Sequence, residues 1–484
     1  MTQFRWFKYA VILGWLLLLL LLAQRDFFIT ALDSGEQATL SQARSQQYYG
    51  VHLHAKRIGW VMEELRPVDG GYRIRQQASL KLKLINAVQP VDMDLHAELD
   101  SGLRLKSFEF TFTSPFYSTK AEGRTQGRVV QFSLDTGRTV IKDSVTLPDR
   151  PLLPLNQRSY LLAKMSTAGE KLKVPFFDPF SLTQRESVIT YKGPDKELVS
   201  GRIYNLHEFT ETYSGMTTRF WLDEQGKIIK EESPAGFVFE AEPKFKAMNI
   251  ETSGDELLAA VAVRYSGQLP PQDSKAAVYQ LRFPAEAEVE LNGGRQHFAD
   301  ADSRLTVRKE LFPPQSDGTE ACAAEAAYLR GSRYVQAEDA KIIAKAKDIV
   351  GNETDPAKQI KLLTDWVYKT IEKRPVIGLP DALTTLDSRL GDCNEHAALF
   401  AALSRSLGIP TAIAAGVTLH NNAFYYHAWN EVCIQGQWIS LDTTTRQLPA
   451  DIYHLRFTRA DVEGQIAIGG LLGKLEIEAV RENN

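Results

Sequence analysis

Residues 390–445, LGDCNEHAALFAALSRSLGIPTAIAAGVTLHNNAFYYHAWNEVCIQGQWISLDTTT, decide how the C-terminal part of the chain folds. The run 395–407 has the composition of a helix, and Gly408 lies where that helix should end. The segments TAIAAGVT, YYHAWNEVCI and QWISLD predict three strands, the last two joined by a turn at Gln435-Gly436. The stretch therefore predicts an α+β unit in which one helix packs on an antiparallel sheet.

Three chemically useful side chains lie at the ends or on one face of these elements. Cys393 lies at the start of the helix, where the positive end of the macrodipole and unpaired N–H groups should lower the pKa of its thiol. Its backbone N–H could also donate to an oxyanion. His427 lies in a strand, and Asp442 ends the next strand, where a hairpin can place it beside His427. This order predicts a nucleophile, a base and a residue that orients the base.

The blocks GDCNEHAALFAALSRSLGIPT, YYHAWNEV and QWISLDTT resemble the three signature blocks of the transglutaminase-like superfamily. The resemblance spans about residues 336–460 and implies a papain-like α+β core. It also implies that Cys393 is the nucleophile, His427 the base and Asp442 the third member of a catalytic triad. Members of the superfamily include protein crosslinkers, cysteine peptidases and amidases. The family's oxyanion tryptophan has no secure counterpart here, so that role stays open.

Two helices are predicted before the cysteine. The amphipathic segment AEDAKIIAKAKDIV ends at Gly351, a favourable residue just after a helix. Asp355-Pro356 then supplies an N-cap and a first helical residue for the next helix. We expect Trp366 in that helix to belong to the core.

The rest of the chain divides by pattern. Residues 31–250 consist of short alternating stretches broken by turn residues, which predict a β-rich domain built on one large antiparallel sheet. Residues 251–335 mix short strands with proline breaks and predict a small β module or connector. The remaining residues, 336–484, form the predicted transglutaminase-like domain.

Residues 1–30 predict a short cytoplasmic tip and a single transmembrane signal-anchor. The unbroken apolar run is 9–23. Counted from Trp6, with the Lys8 side chain reaching out to the membrane interface, residues 6–23 would reach roughly 27 Å as a helix, close to the thickness of a hydrocarbon core. Arg5 and Lys8 place the N-terminus in the cytoplasm. The competing reading is a cleaved signal peptide, although no small-x-small cleavage site follows the segment directly. We therefore expect a bacterial inner-membrane protein whose body faces the periplasm or the exterior.

The charge and the cysteine content of the chain limit which partners and which class of fold are expected. The chain carries 56 basic and 60 acidic residues with no basic run, which disfavours nucleic acid as a partner. It has only three cysteines, Cys322, Cys393 and Cys433, too few for a disulfide-stapled fold. An odd number in an oxidising compartment suggests one thiol kept free. A disulfide between Cys322 and Cys433 is left open by the spacing.

A zinc site is the alternative for the cysteine. Cys393 and His396 have C-x-x-H spacing, and His420, His427 and His454 follow. Zinc sites usually need a second tight pair of ligands, which the sequence lacks, so we expect neither a metal nor a cofactor. His396 and its neighbour Glu395 are expected to pack or to cap the helix near the site.

The predicted function is a cysteine hydrolase or acyltransferase acting on amide bonds of peptides or proteins in the cell envelope. The reaction would pass through a thioester, with hydrolysis slightly favoured over crosslinking because water needs no second pocket. The alternative is a non-catalytic envelope-binding or scaffold protein that uses the same fold. Reactivity of Cys393 would separate the two.

Overall fold

The fold is described from a computed structural model of the 484-residue chain. The residues it describes are 30–31, 45–84, 87–153, 161–249, 261–285, 287–314, 322, 326–461 and 465–480. The predicted membrane anchor at residues 6–23 lies outside them. Within the described ranges, no helix has the length and apolar character needed to cross a bilayer.

The N-terminal half forms one 15-stranded sheet, as the alternating pattern predicts. Its strands follow the order β1-β10-β11-β12-β13-β14-β15-β2-β3-β4-β5-β6-β7-β8-β9, and every neighbouring pair is antiparallel except β1 with β10. The strands are β1 Thr30–Ala31, β2 Ser45–Leu53, β3 Lys56–Val68, β4 Gly71–Leu84, β5 Ala87–Asp100, β6 Leu105–Thr113, β7 Ser118–Gln126, β8 Val129–Asp135, β9 Val140–Thr146, β10 Lys171–Asp178, β11 Thr183–Val199, β12 Arg202–Tyr213, β13 Met216–Leu222, β14 Ile228–Glu232 and β15 Phe237–Ala241.

The period of two along each strand determines what this sheet buries. In β6, Phe108, Phe110 and Phe112 are buried, whereas Glu109 and Thr113 are exposed. Successive side chains of a strand point to opposite faces, so the phenylalanines all enter one core. One face of the sheet therefore packs inward and the other meets solvent.

A second sheet of five strands follows, in the order β16-β26-β17-β19-β18. Its strands are β16 Tyr265–Gly267, β17 Ala276–Arg282, β18 Gln296–Ala299, β19 Arg304–Arg308 and β26 Glu476–Val480. The module predicted at residues 251–335 thus contains a sheet, but a strand from the C-terminal segment completes it. That strand buries Ile477 and Ala479 while pairing with the free edge of β17. The sequence boundary at residue 335 does not include this long-range partner.

The C-terminal core has the predicted α+β character, with a four-stranded antiparallel sheet in the order β24-β23-β22-β25. The remaining strands are β20 Glu372–Lys373, β21 Leu390–Gly391, β22 Thr411–His420, β23 Ala423–Ile434, β24 Gln437–Leu441 and β25 Leu455–Arg459. The α-helices are α1 Leu161–Lys164, α2 Lys244–Ala247, α3 Ala340–Val350, α4 Pro356–Thr370, α5 Ala382–Ser388 and α6 Cys393–Ser406, and Ala326–Tyr328 and Gln465–Leu471 are 3₁₀ helices. Helix α6 is central: its residues 397–403 are all buried.

The predicted helix and turn signals act as expected. Asp339 and Asp355 cap α3 and α4 through their side chains, and α3 ends at Gly351, whose φ is positive. The β23–β24 turn at Gln435-Gly436 has positive φ at both residues. This two-residue turn fixes the register in which β24 returns along β23.

A segment of the C-terminal core, residues 375–379, packs against the 15-stranded sheet. Ser114 Oγ donates to the carbonyl of Ile377 at 2.9 Å, and Gln89 Nε2 donates to that of Pro375 at 3.3 Å. Gly378 lies against the ring of Tyr117, where an added Cβ would come within 2.4 Å of a ring atom. The β-rich domain therefore holds the segment that leads toward the start of α6.

Candidate active site

The start of α6 is closed by a capping box. The Asp392 carboxylate accepts from the backbone N–H of Asn394 at 3.0 Å, and Glu395 Oε2 accepts from the N–H of Asp392 at 2.9 Å. His396 Nδ1 lies 2.7 Å from the carbonyl oxygen of Asp392. Glu395 and His396 thus cap and pack beside Cys393, as expected from the sequence.

Cys393 is a free, half-buried thiol at the first position of α6. Its sulfur accepts a hydrogen bond from the backbone N–H of Ala428, the residue after His427. The thiol therefore lies against β23 next to the predicted base. It is placed by the head of the helix on one side and by the strand on the other.

The expected lowering of the Cys393 pKa is wrong. Burial raises the pKa of the thiol well above its ordinary value, and the carboxylates of Asp392, Glu395 and Asp442 add to the rise. The sequence pattern suggested unpaired N–H groups at the helix start, but the Asp392 side chain accepts from the N–H groups of Asn394 and Glu395. The resting cysteine is therefore a neutral thiol.

His427 and Asp442 meet across the β23–β24 hairpin. Asn430 is paired with Leu441, so Asp442 emerges just beyond the end of β24, on the side of His427. His427 Nε2 lies 3.0 Å from Asp442 Oδ2. Because a carboxylate only accepts, Nε2 carries the hydrogen, and the Nδ1 atom of a neutral ring is left as the proton acceptor.

The Asp442 carboxylate is buried and held by several donors. Its Oδ1 accepts from the N–H of Thr444 at 2.7 Å and from the hydroxyl of Thr444 at 2.6 Å, and its Oδ2 accepts from the hydroxyl of Thr445 at 2.9 Å. Burial alone would raise the pKa of Asp442, but His427 and His454 outweigh it and hold this pKa well below its usual range. The carboxylate is therefore ionised and fixed in orientation.

A second histidine approaches the same oxygen, a contact that sequence reasoning missed. His454 Nε2 lies 3.3 Å from Asp442 Oδ2, and His454 Nδ1 lies 2.8 Å from Asp451 Oδ1. Burial alone would lower the pKa of His454, but the two carboxylates raise it. From the sequence, His454 was weighed only as a possible metal ligand. Asp451 three residues before it was the available signal.

Trp429 encloses both imidazoles. Its ring stacks on that of His427 with centroids 6.1 Å apart and planes 20° apart, and it meets the ring of His454 edge-on at 5.2 Å. Trp429 is itself buried. Its indole therefore packs beside one face of His427 and contacts the ring of His454.

The ligand-type atoms of His427, Asp442 and His454 lie within 4.8 Å of one another, a spacing that could accommodate a metal ion. However, Asp442 Oδ2 already accepts hydrogen bonds from His427, His454 and Thr445. This oxygen would have to give up those donors to coordinate an ion. The group therefore fits a hydrogen-bonded network better than a metal centre. In the part of the chain that is described, the C-x-x-H pair Cys393 and His396 belongs to no such group.

The other two cysteines are joined. Cys322 and Cys433 form a disulfide with Cα atoms 5.8 Å apart, across 111 residues of sequence. The pairing that the sequence left open is therefore present. Cys393 is the one free thiol of the three.

Buried charges lie along the same strand as His427. The Glu431 carboxylate lies 3.3 Å from Arg456 Nε and also accepts from Arg459. Burial would raise the pKa of Glu431, but these guanidinium groups lower it. Nearby, burial raises the pKa of Glu310 to about 7, although Arg295 lies 3.7 Å away. This cluster joins the five-stranded sheet to the C-terminal core.

Comparisons with known proteins identify one family and several similar solved structures. The family model described as the transglutaminase-like superfamily matches residues 343–443. Among solved structures, the chain is similar to a "Putative Cysteine Protease" from Cytophaga hutchinsonii (18% identity, 46% of this chain and 88% of the other, TM-score 0.29). It is also similar to a "Beta-barrel-like Protein of Domain of Unknown Function DUF1849" from Brucella abortus (10% identity, 42% and 96%, TM-score 0.33).

A "putative protease" from Parabacteroides distasonis is also similar over 72% of this chain and 68% of its own, with 10% identity and a TM-score of 0.22. No curated protein matches the chain. The family model lies within the 336–460 resemblance stated from the sequence, and the residues that it matches contain α4 to α6 and β22 to β24. Residues 343–443 form a domain of the transglutaminase-like superfamily.

Proposed function

We propose that this protein is a cysteine hydrolase or acyltransferase that acts on amide bonds of peptides or proteins. Cys393 is the nucleophile, His427 the base and Asp442 the residue that orients the base. The observation that carries the proposal is the 3.0 Å contact between His427 Nε2 and Asp442 Oδ2. It stands next to a free thiol that is hydrogen-bonded to the N–H of Ala428.

The proposed reaction begins from a neutral thiol, since burial raises the pKa of Cys393. His427 Nδ1 takes the thiol proton while the sulfur forms a bond to the amide carbonyl carbon. In this proposal the backbone N–H of Cys393 donates to the oxygen that becomes negative. His427 then gives the proton to the departing amine, the C–N bond breaks, and a thioester remains.

The thioester can be resolved in two ways. Water attack, with His427 again accepting a proton, gives a carboxylic acid and returns the thiol to Cys393. Attack by an amine gives a new amide and hence a crosslink. We favour hydrolysis because water needs no dedicated second pocket.

We further propose that residues 6–23 anchor the protein in a bacterial inner membrane, with the body in the periplasm or outside the cell. The apolar run 9–23, with Arg5 and Lys8 before it, supports this orientation. The Cys322–Cys433 disulfide is in keeping with an oxidising compartment. Reporter fusions after residue 40 test the proposal: activity of a reporter that works only in the cytoplasm would contradict it.

An activity-based thiol probe tests the catalytic proposal. The probe is a peptide carrying an electrophile in place of the scissile amide, and labelled sites are read by peptide mass spectrometry. Cys393 should be labelled in the wild type, and labelling should fall about 100-fold in His427→Ala because the base is lost. Equal labelling in both proteins would favour a non-catalytic scaffold that uses this fold.

A further inference from the structure

The loop after β24 contains a buried histidine whose two ring nitrogens both face carboxylates. His454 Nε2 lies 3.3 Å from Asp442 Oδ2, and its Nδ1 lies 2.8 Å from Asp451 Oδ1. The His454 side chain is only 2% exposed. Ionised carboxylates accept hydrogen bonds and cannot donate them, so both nitrogens of His454 must carry a hydrogen. The ring is therefore an imidazolium.

Both of these carboxylates are ionised. The second of them, Asp451, accepts from the N–H of Tyr453 at 3.0 Å and from Gln447 Nε2 at 3.0 Å. Burial opposes its ionisation, but the hydrogen bond and charge of His454 keep the pKa of Asp451 below its usual range. Two buried anions thus enclose one buried cation, which removes the cost of an unpaired charge.

The five-stranded sheet fixes the loop that carries this histidine. Arg295, between β17 and β18, donates from Nη1 to the carbonyl of Ala450 at 2.6 Å and from Nη2 to that of His454 at 3.0 Å. The Arg295 side chain is 2% exposed. The backbone on both sides of Asp451 is therefore anchored from outside the superfamily domain.

We propose that His454 is a positioning residue for the Cys393 reaction: a permanent buried cation that clamps Asp442 Oδ2 beside His427 and offsets the negative charge around the thiol. The assignment rests on the proposed function in taking Cys393 as the reacting atom. The titratable and charged groups that face His454 are Asp442 at the end of β24, Asp451 in its own loop, His427 on β23 and Arg295 from the five-stranded sheet.

The charge matters because the surroundings of the thiol are acidic. The carboxylates of Asp392 and Asp442 both disfavour a thiolate at Cys393. Without the positive charge of the imidazolium, the two carboxylates would repel an anion approaching Cys393 more strongly. A negative reagent should therefore be more sensitive to loss of His454 than a neutral reagent of the same reactivity.

Two reagents applied to the same full-length protein make the test independent of any substrate. The rates at which iodoacetate and iodoacetamide alkylate Cys393 at pH 7 are measured by peptide mass spectrometry in wild type and His454→Gln. Glutamine keeps a donor to Asp442 but removes the charge. The ratio of the iodoacetate rate to the iodoacetamide rate should fall about 3- to 10-fold in His454→Gln. A purely structural defect would change both rates alike and leave the ratio unchanged.

The matched control is His420→Gln, which changes an exposed histidine at the end of β22. It should leave the ratio within about twofold of wild type. A ratio in His454→Gln that is also within twofold of wild type would overturn the proposal. Failure of the proposed function would give a different result. Iodoacetamide would then label Cys393 at the wild-type rate in every variant, but amide turnover would not require Cys393.

A titration of the unaltered protein keeps the proposal testable if His454→Gln does not fold. Histidine labelled with ¹³C gives few ring signals because the chain has nine histidines. The His454 signal should retain its imidazolium shift at pH 7, above the ordinary histidine titration near pH ~6.5. In Asp451→Asn the same signal should move to the neutral form. A neutral His454 in the wild type at pH 7 would overturn the proposal.

Discussion

His427 Nε2 and Asp442 Oδ2 lie 3.0 Å apart, although 15 residues separate them in the sequence. The β23–β24 hairpin brings them together, and Thr444 and Thr445 hold the carboxylate from its other side. Asp442 therefore cannot turn away without breaking several hydrogen bonds. The orientation of His427 is thus determined by the backbone of the turn that follows β24.

Loss of the base His427 should lower amide turnover more than loss of the negative charge of Asp442. His427→Ala removes the proton acceptor and should lower amide turnover by about 10²–10⁴-fold. Asp442→Asn leaves the histidine and should cost less, because only orientation and charge stabilisation suffer. Turnover of a peptide mixture by each variant is the measurement. A greater loss in Asp442→Asn than in His427→Ala would contradict these roles.

The disulfide should contribute to stability without taking part in the chemistry. Cys433 lies six residues beyond His427 on β23, so replacing both Cys322 and Cys433 with serine should leave turnover within a few-fold. The free energy of unfolding should fall by about 2–4 kcal/mol, because a long loop in the unfolded chain is released. Urea denaturation measures this, with reduced wild type as the matched control. An unchanged unfolding midpoint would be inconsistent with the disulfide.

Glu310 should make stability depend on pH. Its pKa is raised to about 7 in the folded protein, against about 4.3 in an unfolded chain. Between those values the folded state binds more protons, so the free energy of unfolding should decrease as pH rises and level off above pH ~7. Glu310→Gln keeps an acceptor for the N–H of Ser440 and should weaken this dependence. Identical pH profiles for the two proteins between pH 5 and 7 would argue against a buried, protonated Glu310.

The reactivity of Cys393 should increase steadily with pH. Because the pKa of the thiol is raised, the thiolate fraction should grow about tenfold per pH unit between pH 6 and 8. Iodoacetamide labelling of Cys393, followed by mass spectrometry, checks this slope. A plateau that begins below pH 6 would indicate a preformed thiolate–imidazolium pair instead.

Local signals in the sequence were sufficient for the helix and hairpin that carry the site. Cys393 at a helix start, the Gln435-Gly436 turn and the position of Asp442 all follow from composition and period within about fifty residues. The large antiparallel sheet could also be predicted from the sequence, because each strand shows its own alternation of apolar and polar residues. These features depend on residues that are near one another in the chain.

Contacts between residues that are distant in the sequence could not be predicted from the sequence. Helical dipole reasoning gave the wrong direction for the Cys393 pKa because the burial of the thiol and the carboxylates around it depend on how distant elements pack. The contact between His454 and Asp442 depends on a loop held by Arg295, about 160 residues earlier. The addition of β26 to the five-stranded sheet likewise joins the last strand of the described residues to β17. No local periodicity reports such pairings.

A thioester on Cys393 is the intermediate on which the proposed function depends. Purified full-length protein is mixed with a peptide digest of casein, quenched in acid and analysed by mass spectrometry, with and without hydroxylamine, which cleaves thioesters. We expect an acyl adduct on Cys393 that disappears with hydroxylamine and is absent in Cys393→Ala, together with loss of amide turnover in that variant. Turnover that persists in Cys393→Ala, or turnover in the wild type with no adduct on Cys393, would show that Cys393 is not the nucleophile.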